Sequence, residues 1–199
     1  MKNIVNLYIF NIDNLNESFD EIPFLSAEDI KKAKRYKDIK DQKLHIISSY
    51  LKNKYVGEYK IDDNQKPISD NVYFNISHSD NLVILGICKN REIGVDIETI
   101  TIKNDDLIDY VCNEEERKYV TDETKFMEVW TSKESLVKCK GTGIDTKPKN
   151  INSLPINGYK TYDNQDYFTK TFLLSDYAIS ITLKGKDDFE ITKEEIKEV

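Results

Sequence analysis

Along the chain the apolar residues switch from every second position to helical spacing and back, and this alternation limits the fold more than any single motif. Ile4-Val5-Asn6-Leu7-Tyr8-Ile9-Phe10 suits a strand. A polar stretch with Pro23 follows, and Ser26-Ala27-Glu28-Asp29 has the form of a helix N-cap with first-turn acids. The helix it opens is expected to run through Lys37. A second is expected over 41–55, where Leu44, Ile47, Leu51 and Tyr55 share helical spacing and Gly57 is the stop signal. Period two then returns, and 72–76, 82–88 and 93–98 read as short strands between polar turns. Residues 105–119 read as polar helix. The strongest helical pattern is 122–140, with Phe126, Val129, Trp130, Lys133 and Val137 on one stripe and Gly141 at the end. The tail reads as strands again, at 168–172, 177–183 and 189–191. This order predicts an α+β fold in two similar halves, 1–100 and 101–199, although no internal sequence repeat relates them.

Composition narrows the function classes. With 36 acidic and 29 basic side chains the formal net charge is −7, a poor basis for coating nucleic acid. A mean hydropathy of −0.59 and the absence of any apolar run near ~20 residues argue against a membrane span. The N-terminal segment lacks a signal-peptide cleavage pattern and is expected to be the first strand. Cys88, Cys112 and Cys139 are odd in number and scattered, as reduced, buried thiols of a cytoplasmic protein would be. Two histidines, His45 and His78, exclude a His-rich metal site. Neither GxxxxGK[ST] nor GxGxxG occurs, so a bound phosphate must be held by lysines and a metal rather than by a glycine cradle.

Three segments could carry chemistry. In Gly94-Val95-Asp96-Ile97-Glu98, strand geometry projects Asp96 and Glu98 to one face. Such a pair suits Mg²⁺, which takes one or two carboxylates plus waters and substrate phosphates; a solvated strand end is the plainer alternative. In Trp130-Thr131-Ser132-Lys133-Glu134-Ser135-Leu136-Val137-Lys138, Glu134 and Lys138 form an i, i+4 pair, which by itself is an ordinary surface ion pair. Lys133, however, lies on the apolar stripe and needs an anion or a route to solvent. Phe74-Asn75-Ile76-Ser77-His78-Ser79 runs a strand into a polar turn, where Ser77 and His78 could bind phosphate or merely cap the turn. The lysines from Lys31 to Lys37 decide nothing alone.

In their order along the chain, these three segments resemble the motifs of the 4′-phosphopantetheinyl transferases, within that family the Sfp type. Lys66-Pro67 resembles the family's Gly-Lys-Pro segment, and the likeness spans about residues 66–141. It implies two α+β lobes related by a pseudo-twofold, with the active site and coenzyme A at their interface. The implied reaction moves the phosphopantetheine arm of coenzyme A to a serine of an apo acyl or peptidyl carrier protein, releasing adenosine 3′,5′-bisphosphate. By position, Asp96, Glu98 and Glu134 would hold Mg²⁺, and Lys133 and Lys138 would contact phosphate and offset leaving-group charge. Ser77, His78, Lys66 and Lys32 would bind the 3′-phosphate end. Glu134 or a metal-bound water would be the base, and the family's further glutamate would be Glu115. Ser135 stands where the family often has Ala, and Lys43, Leu44 and His45 follow Asp41 where an arginine is usual. A cytoplasmic monomer is implied, with neither nucleic acid nor membrane as partner. Two rivals share these residues: a non-catalytic coenzyme A or carrier-protein binding module, and a metal-dependent pyrophosphohydrolase.

Overall fold

Strand β1 (Asn3–Asn11) alternates as its sequence requires, with Val5, Leu7 and Ile9 in one apolar layer and Tyr8 and Phe10 in another. The structure, a computed structural model, describes residues 3–15, 18–63, 66–101, 104–141 and 147–199. Helix α1 (Ala27–Ala33) opens on the expected cap. The Ser26 hydroxyl accepts from the Asp29 N–H, and the Asp29 carboxylate accepts from the Ser26 N–H. It stops at Ala33, short of Lys37, because Asp38 then caps α2 (Ile39–Tyr55) by accepting from the Lys40 N–H. Two short strands follow, β2 (Lys60–Ile61) and β3 (Pro67–Ile68), then β4 (Tyr73–Ser79), β5 (Leu82–Cys88) and β6 (Ile93–Thr99). The second half supplies α3 (Asp105–Val111), α4 (Glu114–Tyr119) and α5 (Glu123–Lys140). Strands β7 (Gly158–Tyr162), β8 (Gln165–Leu174), β9 (Tyr177–Lys184) and β10 (Phe189–Ile196) complete the chain. The mixed α+β class is as predicted. β7 escaped the period-two reading because only its Lys160 is buried, so no apolar alternation marks it.

Two four-stranded sheets form, ordered β10-β1-β5-β4 and β6-β9-β8-β7. They share a connectivity: a first strand, helices, then a hairpin whose last strand returns antiparallel beside the first, β5 beside β1 and β9 beside β6. The halves do not divide at residue 100, however. β6 already belongs to the second sheet, and β10 comes back to pair in parallel with β1. Strand pairing is decided by which faces must be buried together, and chain position does not report that.

The sheets face each other across Val5, Leu7, Ile9, Val95, Ile97, Ile179, Ile181 and Leu183. α2 covers the outer face of the first sheet, with Leu44, Ile47, Tyr50 and Leu51 packed among Phe10, Phe74, Val83 and Leu85. α5 covers the second, over β6 and β9. Its backbone approaches β6 so closely that a Cβ on Gly94 would stand 2.0 Å from the Ser135 carbonyl oxygen and 2.3 Å from the Cys139 nitrogen. Hence the glycine before Val95. Gly141 ends α5 in the left-handed conformation, φ 76°.

Candidate active site

β4 and β6 lie side by side at the seam between the sheets, and polar side chains join them. Asn75, Ser77 and Ser79 occupy alternate positions of β4. Asn75 Oδ1 accepts from the Val95 N–H at 2.9 Å, Ser77 Oγ donates to Asp96 Oδ1 at 3.0 Å, and Ser79 Oγ donates to Glu98 Oε2 at 3.0 Å. The same pleat that sends Val95 and Ile97 into the inter-sheet core turns Asp96 and Glu98 toward α5.

A cleft of about 470 Å³ opens there. β4 contributes Ile76, Ser77 and His78, β6 contributes Asp96 and Glu98, and α5 contributes Trp130, Glu134 and Lys138 at i, i+4 and i+8. The opposite wall is Tyr36 with Asp41, Leu44, His45 and Ser48, a stripe of α2. Lys138 is the central cation. Its Nζ lies 2.6 Å from Asp96 Oδ1 and 2.9 Å from Ser77 Oγ, so the lysine reaches across to β6 instead of resting as a surface pair on Glu134. Burial pushes the Asp96 carboxyl up to about 7 against the pull of Lys138, and Glu98 and Glu134 add to the rise. Burial raises Glu134 as well. Asp96 Oδ2 is buried without a hydrogen-bond partner.

Six of the nine site residues predicted from sequence therefore meet in one cleft: Ser77, His78, Asp96, Glu98, Glu134 and Lys138. Three do not. Lys133 is 1% exposed, and its ammonium donates to Glu116 Oε2 at 2.5 Å, the Val111 carbonyl at 2.7 Å and the Pro148 carbonyl at 2.9 Å. The anion its apolar stripe demanded is a protein carboxylate, not a substrate phosphate. Lys66 caps the end of α5, donating to the Cys139 carbonyl at 3.0 Å, and lines a separate cavity of about 360 Å³ with Tyr73, Phe74 and Lys140. Lys32 is exposed and pairs with Glu28 at 2.9 Å, one turn back on α1. Of the acids of α4, Glu116 and not the expected Glu115 turns inward. At N3 of α4 it completes a capping box with Asn113, which turns it inward and leaves Glu115 exposed. Trp130 packs against the cluster of Val111, Phe126 and Val129 and also lines the cleft. Sequence reasoning missed Tyr36, Ser48 and the α2 wall, for which the i, i+3, i+4, i+7 spacing of Asp41, Leu44, His45 and Ser48 was the available signal.

Comparison with known proteins fits this arrangement. A family model described as the 4′-phosphopantetheinyl transferase superfamily matches residues 92–185, a span that holds β6 and α5 with Asp96, Glu98, Glu134 and Lys138. The matched span is similar to this superfamily over 94 of the 199 residues. Among curated relatives it is 27% identical to the 4′-phosphopantetheinyl transferase gsp of Aneurinibacillus migulanus, over 82% of this chain and 69% of that protein. It is 26% identical to the 4′-phosphopantetheinyl transferase psf-1 of Bacillus pumilus, over 61% of this chain and 60% of that protein. The match thus spans about two thirds of these relatives' lengths.

Among the described residues no three His, Cys, Asp or Glu side chains form a ready-made metal cage. Mg²⁺ does not require one, since it usually binds one or two carboxylates and fills its remaining positions from water and substrate phosphates. The partnerless Asp96 Oδ2, with Glu98 and Glu134 lining the same cleft, fits that demand.

Proposed function

We propose that the cleft transfers the phosphopantetheine arm of coenzyme A to a serine hydroxyl of an apo carrier protein, in a reaction that depends on Mg²⁺. The observation that carries this is the Lys138–Asp96–Ser77 contact, which gathers an ammonium, a buried carboxylate with a free oxygen and a hydroxyl from separate elements. Asp96, Glu98 and Glu134 are the residues that would hold the metal. Bound there, Mg²⁺ would neutralise charge on the pyrophosphate of coenzyme A.

The protein's own groups account for the remaining steps. His78, near the end of β4, lines the cleft and offers a hydrogen bond to phosphate oxygens, while Ser77, whose hydroxyl proton goes to Asp96, holds that carboxylate and Lys138 in place. The α2 wall supplies His45 and Ser48 for the same purpose, in place of the exposed Lys32. The carrier serine oxygen attacks the phosphorus that bears the pantetheine arm, and the bond from that phosphorus to the bridging oxygen breaks. Glu134, whose proton affinity burial raises, accepts the serine proton. Lys138 offsets the negative charge left on adenosine 3′,5′-bisphosphate. Trp130 walls the cleft beside Glu134.

Both walls come from a single chain, which supports a monomer. No helix among the described residues is long and apolar enough to cross a membrane, and three free, buried cysteines suit a reducing compartment such as the cytoplasm. Incubation with coenzyme A, Mg²⁺ and an apo carrier protein, followed by mass spectrometry, tests the function. The carrier should gain the mass of the arm. Coenzyme A binding without gain in any of several carrier classes would favour a binding module, and cleavage of coenzyme A without an acceptor would favour a pyrophosphohydrolase.

A further inference from the structure

The side of α5 turned away from the cleft is held by directional contacts. Thr131 Oγ1 and Ser180 Oγ lie 2.8 Å apart, as do Ser180 Oγ and Thr171 Oγ1 at 2.7 Å and Ser135 Oγ and Thr182 Oγ1 at 2.7 Å. All of these hydroxyls are buried. A buried hydrogen bond has one good geometry, so such contacts set the position of the helix along β9 more narrowly than apolar side chains do.

A second tether sits beside this one. Lys160 of β7 is 6% exposed, and its Nζ donates to the Ser153 carbonyl at 2.6 Å and to Ser132 Oγ at 3.1 Å. Ser153 in turn donates through its N–H and hydroxyl to Glu116 Oε1, at 2.7 and 2.8 Å. The other oxygen of Glu116 accepts from Lys133. The contacts form a closed loop from Ser132 through Lys160, Ser153 and Glu116 to Lys133. Both ends fall on adjacent residues of α5, immediately before Glu134.

The loop contains one carboxylate and two amines. Lys133 meets three acceptors, which is what an ammonium needs, whereas Lys160 meets two, the number a neutral amine can use. The charged groups around Lys160 are Glu116 from α4 and Lys133 from α5, and burial lowers its proton affinity, to a pKa of about 7.

Resting on the transferase function above, we propose that Lys160 is a positioning residue for the reaction, closing this loop so that the α5 turn bearing Glu134 is held in one register against the cleft. It touches no cleft residue and acts through Ser132 and the helix.

Lys160→Met, Ser132→Ala and the double variant test this in the full chain, with coenzyme A, Mg²⁺ and an apo carrier protein. In each, kcat should fall about tenfold while KM for coenzyme A stays within about twofold, since small misplacements of a reacting group are costly. The double variant should be no worse than the poorer single one. Emission from Trp130, the only tryptophan and two residues from Ser132, should shift in the variants. A folded Lys160→Met protein with unchanged kcat and unchanged Trp130 emission would overturn the proposal and leave Lys160 a purely structural residue. If Lys160→Met does not fold, Ser132→Ala decides, and unchanged kcat there overturns it equally. Should the unaltered chain transfer no arm to any carrier, the transferase function falls, while the Trp130 shift still reports on the positioning.

Discussion

Lys138 Nζ stands 2.6 Å from Asp96 Oδ1, joining α5 to β6 across a sequence separation of 42 residues. The same ammonium donates to Ser77 Oγ of β4 at 2.9 Å, so one side chain ties the two sheets and the helix together at the mouth of the cleft. Asp96 is held there although burial disfavours its charge, and its second oxygen has no protein partner. The proposed transfer gives a reason for keeping a carboxylate in so unfavourable a place.

Asp96→Ala is therefore expected to separate activity from stability. Transfer to an apo carrier, read by mass spectrometry, should fall by at least about 10²-fold, as for other groups that organise transition-state charge. The melting temperature should change little, because burial disfavours the Asp96 charge and the Lys138 ammonium left behind is 30% exposed at its side chain, so water can solvate it. A large drop in melting temperature would make Asp96 a structural residue instead.

Lys138→Ala should weaken coenzyme A binding by about tenfold, the scale of a lost hydrogen bond to a charged group. Isothermal titration reads this directly. The side chain is 30% exposed but its partner Asp96 only 4%, so removing the ammonium strands a buried carboxylate and should lower stability as well.

Lys133 and Glu116 form a buried pair, 2% and 0% exposed at their side chains, remote from the cleft lining. Lys133→Met alone should destabilise by about 3 to 5 kcal/mol, because it strands a buried charge. Adding Glu116→Gln should recover part of that loss in urea unfolding. Additive losses would show that the two side chains do not depend on each other.

Gly94→Ala should prevent α5 from docking on β6. Its Cβ would meet backbone atoms at 2.0 and 2.3 Å, which no change of rotamer relieves. A loss of at least about 3 kcal/mol is expected in chemical unfolding, at the upper end of overpacking costs. Gly57→Ala offers a comparison: nothing lies within 4 Å of its added Cβ, so only the strain of its φ of +80° should register.

Lys160 predicts a dependence on pH. Its pKa is lowered from 10.5 to about 7 by burial, so between these values the unfolded chain carries a proton that the folded chain lacks. Folding stability should accordingly rise with pH across that window, by up to about 1.4 kcal/mol per unit, and the full penalty should apply below it. Urea midpoints at pH 7, 8.5 and 10 should climb more steeply for the unaltered chain than for Lys160→Met. Parallel curves would mean that Lys160 is charged in the fold.

Most elements were legible in the sequence, because a strand or helix shows in the spacing of its own residues. Ser26 and Asp29 announced α1, and Val95 and Ile97 alternating with Asp96 and Glu98 announced both the strand and its acidic face. Family motifs then carried six site residues to one cleft. The misplaced residues share a physical cause. Lys133, Lys66 and Lys32 were carried over from the family resemblance, but the partner a lysine takes depends on which element lies opposite, and those partners were Glu116, the end of α5 and Glu28.

The sequence by itself determined the α+β class, the order of the elements and the pairing of Asp96 with Glu98 on one face, since each depends on residues a few positions apart. Only the tertiary structure decided that β10 returns to β1, that β6 joins the second sheet, that Glu116 rather than Glu115 turns inward against Lys133, and that α2 forms the far wall of the cleft. Each of these follows from burying particular faces together across long separations in sequence, where loop entropy changes slowly with length and local spacing carries no information about the partner.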